Sequence, residues 1–265
     1  MEDKFIGVFD SGLGGLTVVK SIIEKMPDEN IVYFGDTAHV PYGTRTKEQI
    51  TELVMNDVRF LSGFDLKAVV IACNTADCAA KDEVEKFCDV PVFGIIEPTA
   101  KIAASATKNG KIGLIATNAT VNSGAYEGAI KHFNQNAQVI NVACPLLVPL
   151  VESGKFRKGD AEAEKALAEY LLPLKEQGID TLILGCTHFP MLRDLIADII
   201  SDVNIISSSD AEADALKTAL EKDGLKKESG NSVKKYFVSG NPEEFERFAG
   251  LFMGELGGKV ERAEI

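Results

Sequence analysis

The sequence predicts an α/β fold: two similar doubly wound domains with mainly parallel sheets and a cleft between them. Short β-rich runs alternate with helical patterns almost from end to end, the order that lays down parallel strands with helices on both faces. Most of those runs are continuously apolar rather than alternating, as strands buried on both faces must be. An internal likeness then divides the chain. Ala68-Val-Val-Ile-Ala-Cys73-Asn-Thr75 and Thr181-Leu-Ile-Leu-Gly-Cys186-Thr-His188 share one grammar of apolar strand, cysteine and polar pair, and Ile6-Gly-Val-Phe-Asp-Ser11 aligns with Ile112-Gly-Leu-Ile-Ala-Thr117. That repetition reads as two similar units, one carrying each cysteine, with convergence on a common strand-to-helix turn as the alternative.

Taken in order, strands are predicted in the first unit from Lys4 to Phe9, Asn30 to Gly35, Lys67 to Ala72 and Pro91 to Ile96. In the second they run from Lys111 to Ile115, Gln138 to Val142, Asp180 to Leu184 and Asn204 to Ser207, and a last strand covers Lys234 to Ser239. Between them, apolar residues recur at helical spacing from Thr46 to Leu61, Ala161 to Gln177 and Met191 to Ile200. Ala76 to Phe87 reads as the helix after Cys73, with Thr75 a candidate cap, and Pro190 suits the first turn of a helix after Cys186. The domain boundary falls near Glu97-Pro98, and the chain from about Ser208 returns to the first domain. The expected division is 1–97 plus 208–265, carrying Cys73, and 98–207, carrying Cys186.

Composition narrows the function classes. With 265 residues, 45% of them hydrophobic, the chain can bury the core of one large α/β domain or of two small ones. Glu2, Asp3 and Lys4 precede the first apolar run, which Asp10 interrupts, so no secretory signal is expected. No stretch approaches the ~20 apolar residues of a membrane span, and a soluble cytoplasmic protein with no membrane partner is the expectation. The net charge of -12 opposes nucleic-acid binding, and the Lys226–Lys227 and Lys234–Lys235 pairs read as solvated surface around a polar turn. Five cysteines, odd in number and irregularly spaced, argue against a disulfide framework; reduced thiols are expected. No spacing suits zinc, so no metal site is expected.

Chemistry concentrates at the two cysteine turns. A cysteine after a buried strand is most often a small core residue, but Cys73 and Cys186 stand in matched contexts, where strand ends and the next helix starts line the crevice of a parallel α/β sheet. A helix amino end favours thiolate over thiol and makes such a cysteine a base near neutral pH. The N–H groups of Asn74, Thr75, Thr187 and His188 are natural partners for carboxylate oxygens there. Cys78, Cys88 and Cys144 read as packing residues.

Other polar loops follow strands. Asp10-Ser11-Gly12-Leu13-Gly14-Gly15-Leu16-Thr17 resembles a phosphate turn without the glycine spacing of a dinucleotide fold or the lysine of a P-loop. It fits a loop serving a small anion or the reacting centre, with helix capping as the alternative for Asp10. In Gly35-Asp-Thr-Ala-His-Val-Pro-Tyr42-Gly43-Thr-Arg45 the Pro-Tyr-Gly turn can aim N–H groups inward. Arg45 reads either as a carboxylate ligand or as a solvated side chain. Glu152 closes an apolar segment and is either a proton-handling carboxylate or a surface glutamate. His188 can exchange protons with Cys186 or with Glu152.

With those residues assembled, the sequence resembles the glutamate racemases of bacterial peptidoglycan synthesis over nearly its whole length. Five motifs match in order: Gly7 to Thr17, Gly35 to Arg45, Ala72-Cys-Asn-Thr-Ala76, Leu147-Val-Pro-Leu-Val-Glu152 and Leu184-Gly-Cys-Thr-His-Phe-Pro190. The resemblance implies an enzyme without pyridoxal, metal or other cofactor that interconverts L- and D-glutamate. Cys73 and Cys186 are then the two bases, one taking the α-proton while the other delivers a proton to the opposite face, with Asp10, Glu152 and His188 assisting. Substrate contacts are implied for Asp10, Ser11, Tyr42, Gly43, Asn74, Thr75, Thr187 and His188, with Thr117 and Thr120 as further candidates, and a homodimer is implied. The departures from the pattern are His39 where arginine is frequent, Asp77 where serine is common and Thr99 where glycine is common. Asp77 either opposes thiolate formation at Cys73 or serves a helix dipole. A racemase for aspartate or another small acid, a non-catalytic carboxylate-binding protein and a nucleotide-binding enzyme are the competing readings.

Overall fold

The computed structural model describes residues 4–264. From the amino end the order is β1 (Phe5–Asp10), α1 (Leu16–Lys25), β2 (Asn30–Gly35), α2 (Lys47–Leu61), β3 (Leu66–Ile71), α3 (Asn74–Phe87), β4 (Val92–Gly94) and α4 (Ile96–Ala106). There follow β5 (Lys111–Ala116), α5 (Asn118–Ser123), α6 (Ala125–Phe133), β6 (Gln138–Ala143), α7 (Leu147–Glu152), α8 (Ala161–Glu176), β7 (Thr181–Gly185), α9 (Arg193–Ile199) and β8 (Asn204–Ser207). The chain ends with α10 (Ser208–Lys222), β9 (Lys234–Val238), α11 (Pro242–Phe252) and β10 (Val260–Arg262). No helix among the described residues is long and apolar enough to cross a membrane.

The strands form two sheets, ordered β10-β9-β2-β1-β3-β4 and β6-β5-β7-β8. Every pairing is parallel. The likeness between Ile6–Ser11 and Ile112–Thr117 has a structural counterpart: β1 lies between β2 and β3 as β5 lies between β6 and β7. Cys73 therefore follows β3, and Cys186 follows β7, at equivalent places. Burial explains the apolar runs, since every residue of β2, β3 and β7 is buried. Helix α2 starts where the sequence offers a capping box, Thr46 Oγ1 accepting from the Gln49 N–H and Gln49 Oε1 from the Thr46 N–H.

Several predicted boundaries move. The strand expected from Pro91 to Ile96 shrinks to Val92–Gly94 because Ile96 already opens α4, its N–H held by Asp77 Oδ2 at 2.8 Å. The helix after Cys73 begins at Asn74, with Cys73 itself at the cap position and Thr75 inside the first turn. Thr75 thus does not cap it. After Cys186 a short 3-10 turn, Phe189–Leu192, holds Pro190, and the α-helix starts only at Arg193. Strand β10 was not foreseen: its Val-Glu-Arg carries no pattern of its own and is a strand only through pairing with β9.

Helix α4 packs against α6 and α10 and reaches β7 and β8, while α10 packs along α1. One apolar cluster consequently runs from Ile6 and Val8 in the first sheet to Ile112, Leu114 and Ile183 in the second. Within it sits an anomaly, Glu212 of α10, fully buried with neither carboxylate oxygen partnered. Burial holds its pKa well above the usual carboxylate range, with the Asp77 charge adding and Lys81 opposing. The folded chain thus keeps a proton that the unfolded chain loses near pH ~4.3, and stability falls as pH rises above that value. Glu212→Gln removes the dependence. In thermal melts its Tm advantage over the parent should be small at about pH 5 and grow toward about pH 8, since each unit of differential protonation is worth ~1.4 kcal/mol. An advantage of equal size at both pH values would refute the assignment.

Candidate active site

The carboxyl ends of the two sheets face one another across a cavity of about 390 Å³, within the roughly 300–1,000 Å³ of small-ligand sites. The first sheet contributes Ser11 after β1, Tyr42 and Gly43 from the 3-10 turn that follows β2, and Cys73, Asn74 and Thr75 after β3. Across from them stand Thr117 after β5, Cys144 after β6, Glu152 at the end of α7, and Cys186, Thr187 and His188 after β7. Val148, Pro149 and Pro41 supply apolar wall. The side chains named from sequence thus converge on one cavity, apart from Asp10, which lies outside its lining, and Thr120, buried behind Thr117 and Thr75.

The two thiols are nearly equally buried, Cys73 at 5% and Cys186 at 6% exposure, but their surroundings differ. Cys73 Sγ donates to Ser11 Oγ at 3.5 Å. Burial pushes its pKa up to about 12, the Asp10 charge adds to this, and the Ser11 hydroxyl and Ala76 N–H oppose it. The expectation that a helix start makes Cys73 an acidic thiol is therefore corrected: in a dry site the loss of solvation outweighs the helix end. Cys186 Sγ instead lies 3.8 Å from His188 Nδ1, and His188 Nε2 lies 3.0 Å from Glu152 Oε1. Burial alone would lower the histidine pKa. Hydrogen bonds to Cys186 and Glu152, with their negative charge, overcome it and raise the value to about 10. At neutral pH His188 is accordingly an imidazolium that joins a carboxylate to a sulfur.

Asp10 works behind the cavity wall. Its Oδ2 accepts from the Gly12 N–H at 2.8 Å and its Oδ1 from the Thr187 hydroxyl at 3.3 Å. Burial raises its pKa, and the nearby His188 charge and the Gly12 and Gly15 N–H groups act the other way. It does not cap α1, which begins at Leu16 with Gly15 at the cap. The glycines of this loop admit the second sheet's turn: a Cβ on Gly14 would stand 2.3 Å from Thr187 Oγ1 and 2.5 Å from His188 Nδ1. The Thr17 hydroxyl, 3.0 Å from the Thr187 carbonyl and 2.7 Å from Ser209 Oγ, holds the same contact. The loop is thus a clasp between the sheets.

Asn74 Oδ1 accepts from the Tyr126 hydroxyl at 2.6 Å, which leaves its buried Nδ2 without a partner at the cavity wall. Thr75 Oγ1 reaches Thr117 Oγ1 at 3.0 Å and Thr120 Oγ1 at 3.2 Å, a hydroxyl cluster between the sheets. Tyr42 Oη lies 2.6 Å from Asp36 Oδ2 and 3.2 Å from Asp57 Oδ2, so its hydroxyl is engaged below the turn. Arg45 donates to the His39 carbonyl from Nε and Nη2 and is not a carboxylate ligand in this arrangement.

The three departures from the motif pattern have local partners. Asp77 holds the start of α4, and burial raises its pKa to about 6. His39 Nδ1 pairs with Asp36 at 2.7 Å, and Thr99 donates to the Ile95 carbonyl within its own helix. Cys144, read from sequence as packing, is 1% exposed yet lines the cavity, and its pKa is raised by burial and by the charge of Cys186. Its place after β6, next to β5 at the carboxyl edge, is the signal that could have found it.

Thiols, a carboxylate and an imidazolium on the wall of a largely apolar cavity are equipped for proton transfer. Comparison with known proteins agrees. Residues 6–216 match the family model described as Asp/Glu/Hydantoin racemase. The chain is 42% identical to a glutamate racemase of Geobacter metallireducens, covering 100% of this chain and 98% of that protein. It is 44% identical to one from Neisseria gonorrhoeae, covering 98% and 96%. Among solved structures, the glutamate racemase isoform RacE1 of Bacillus anthracis superposes with a TM-score of 0.95 at 39% identity, covering 100% of this chain and 99% of that one. The glutamate racemase of Francisella tularensis, solved in complex with D-glutamate, gives 0.90 at 34% identity over 100% and 98%.

Proposed function

The chain belongs to the Asp/Glu/Hydantoin racemase family, and from that membership we propose that it racemises glutamate, using Cys73 and Cys186 as opposed acid and base. One observation carries the reading: two thiols from equivalent strand ends of two sheets border a single cavity, and the charge on Cys186 is felt at Cys73. A small amino acid bound there meets sulfur from both lobes. The similar Francisella protein, crystallised with D-glutamate, supports glutamate over aspartate.

In the proposed cycle, one thiolate takes the α-proton and the opposite thiol protonates the far face of the planar carbanion, so configuration inverts. The carbanion needs its charge dispersed into the substrate carboxylate, and the N–H groups at the start of α3 with the free Asn74 Nδ2 are suited donors. His188 relays a proton to or from Cys186, with Glu152 holding the ring. Asp10, through Thr187, fixes that turn. On the other side no imidazolium stands beside Cys73; its proton is lost only against burial, so the positive charge of the substrate ammonium must supply the balance. Residues 1–97 with 208–265, and 98–207, would move as two lobes that close over substrate. A cytoplasmic homodimer supplying D-glutamate to peptidoglycan synthesis completes the proposal.

The test is solvent exchange. In deuterium oxide, D- and L-glutamate should each yield product carrying deuterium at Cα while recovered substrate stays mostly unlabelled, with aspartate turned over far more slowly. Label appearing equally in substrate and product would indicate a single base and end the two-thiol proposal; aspartate as the better substrate would end the glutamate assignment.

A further inference from the structure

Beneath the Tyr42–Thr44 turn lies a buried acid cluster that the reaction does not use. Asp36 and Asp57 are both fully buried, and Tyr42 is 2% exposed. Protons can be counted from the contacts. Asp36 accepts two: Ser239 Oγ donates to Oδ1 at 2.7 Å while accepting from the Ala38 N–H, and Tyr42 Oη donates to Oδ2 at 2.6 Å, with His39 Nδ1 also 2.7 Å from Oδ1. Both of its oxygens are therefore acceptors. Tyr42 has one proton, and the shorter contact assigns it to Asp36. The 3.2 Å contact between Tyr42 Oη and Asp57 Oδ2 is then a hydrogen bond only when Asp57 provides the hydrogen. An ionised Asp57 would set its oxygen against a tyrosine lone pair, with its other oxygen unpartnered, at a fully buried position.

We propose that Asp57 is a positioning residue of the substrate site: as a neutral carboxylic acid it donates to Tyr42 Oη, and the chain Asp57 to Tyr42 to Asp36 fixes the turn that walls the cavity. This rests on the proposed glutamate reaction for its kinetic consequence, not for the proton count. The surroundings agree. Asp57 lies on the buried face of α2 with Ile50, Val54, Val58 and Leu61. The charges acting on it, Asp36 after β2 and Asp10 at the end of β1, are both negative. Tyr33 of β2 feels Asp57 but gives its own proton to the Gly12 carbonyl, and α3 presents Ala76, Ala79 and Ala80 to the same cluster. His39, half exposed, has its Nδ1 against Asp36. Burial with those charges raises the Asp57 pKa well above the ordinary carboxylate range. Alkali removes the proton, and the chain then breaks at its first link.

Asp57→Asn keeps a donor that cannot ionise, and Asp57→Leu removes the donor while filling space. With glutamate as probe, the ratio of wild-type KM to Asp57→Asn KM should be near one at about pH 6.5, with the kcat ratio near one as well, and any rise in the KM ratio should come only on the alkaline side; titrations of substrate and of shared groups cancel in the ratio. Asp57→Leu should raise KM about fivefold at every pH, the size of one lost neutral hydrogen bond. A KM for Asp57→Asn several-fold above that of wild type at about pH 6.5, or a wild-type KM in Asp57→Leu, would overturn the proposal. A readout free of turnover separates this from the glutamate reading. In wild-type protein with 13C-labelled aspartate carboxyls, one resonance at neutral pH should have the shift of a protonated acid and vanish in Asp57→Asn. If every resonance lost in that variant is that of a carboxylate, the inference fails whatever the enzyme acts on.

Discussion

Cys73→Ala and Cys186→Ala each lower glutamate racemisation by roughly 10²–10⁴-fold, the range for removing a positioned acid or base. The two losses should be of similar size in kcat/KM, because inversion in either direction needs one sulfur as base and the other as acid. A serine at either place rescues little, since its hydroxyl is a far weaker acid than the thiol it replaces. The variants should nevertheless differ in one respect. With one sulfur gone the remaining thiolate can still exchange the α-proton of the enantiomer it faces, so each variant should wash solvent deuterium into one enantiomer only, and the two variants into opposite ones. Mass spectrometry of recovered D- and L-glutamate reads this directly. Near-normal turnover in either alanine variant, or exchange of both enantiomers by the same variant, would remove the opposed-thiol mechanism.

Glu152→Gln moves the alkaline limit of activity downward. His188 is held protonated to about 10 by Cys186 and Glu152 against the effect of burial, and taking away one anionic neighbour leaves Cys186 alone to oppose burial. The alkaline limb of kcat should shift down by about one pH unit or more, the size expected for loss of an adjacent opposite charge, while His188→Asn should cost roughly 10²-fold or more at neutral pH. The same pair governs stability. An unfolded histidine titrates near ~6.5, and the folded value is higher, so the pair's contribution is complete below that pH and is lost as pH rises toward about 10. Thermal melts should show the Glu152→Gln penalty shrinking from about pH 6 to about pH 10. An unmoved alkaline limb would mean that the Glu152 contact, 26% exposed on its side chain, holds the ring without governing its proton.

Much of the architecture was legible because parallel strands buried on both faces leave a continuous apolar signature, which located β1, β2, β3, β5 and β7 within a residue or two. The cysteine turns were legible for a related reason: the sequence repeats its strand, thiol and polar-pair grammar, and the equivalent positions of β3 and β7 carry it into space. Short elements were not. Strand β10 takes its identity from β9, and the turn after Cys186 departs from the α-helix by a few residues around Pro190. Glu152 and His188 stood as candidates, but their 3.0 Å contact spans 36 residues of chain and has no periodic trace. Cys144 looked like a packing residue because the sequence does not say which face of the β6 end meets the cavity.

By itself, then, the sequence determined the α/β class, the order of strands and helices, and which two sulfurs terminate matched strands; these follow from local periodicity and from residues a few positions apart. Tertiary structure alone decided the protonation of those residues. Cys73 is pushed up to about 12 by burial where the helix start predicted the reverse, His188 is raised by partners from separate elements, and Asp57 is raised by burial together with the Asp36 and Asp10 charges. Charge states depend on solvent removed and on neighbours brought close in space, and neither quantity is written in the spacing of residues along a chain.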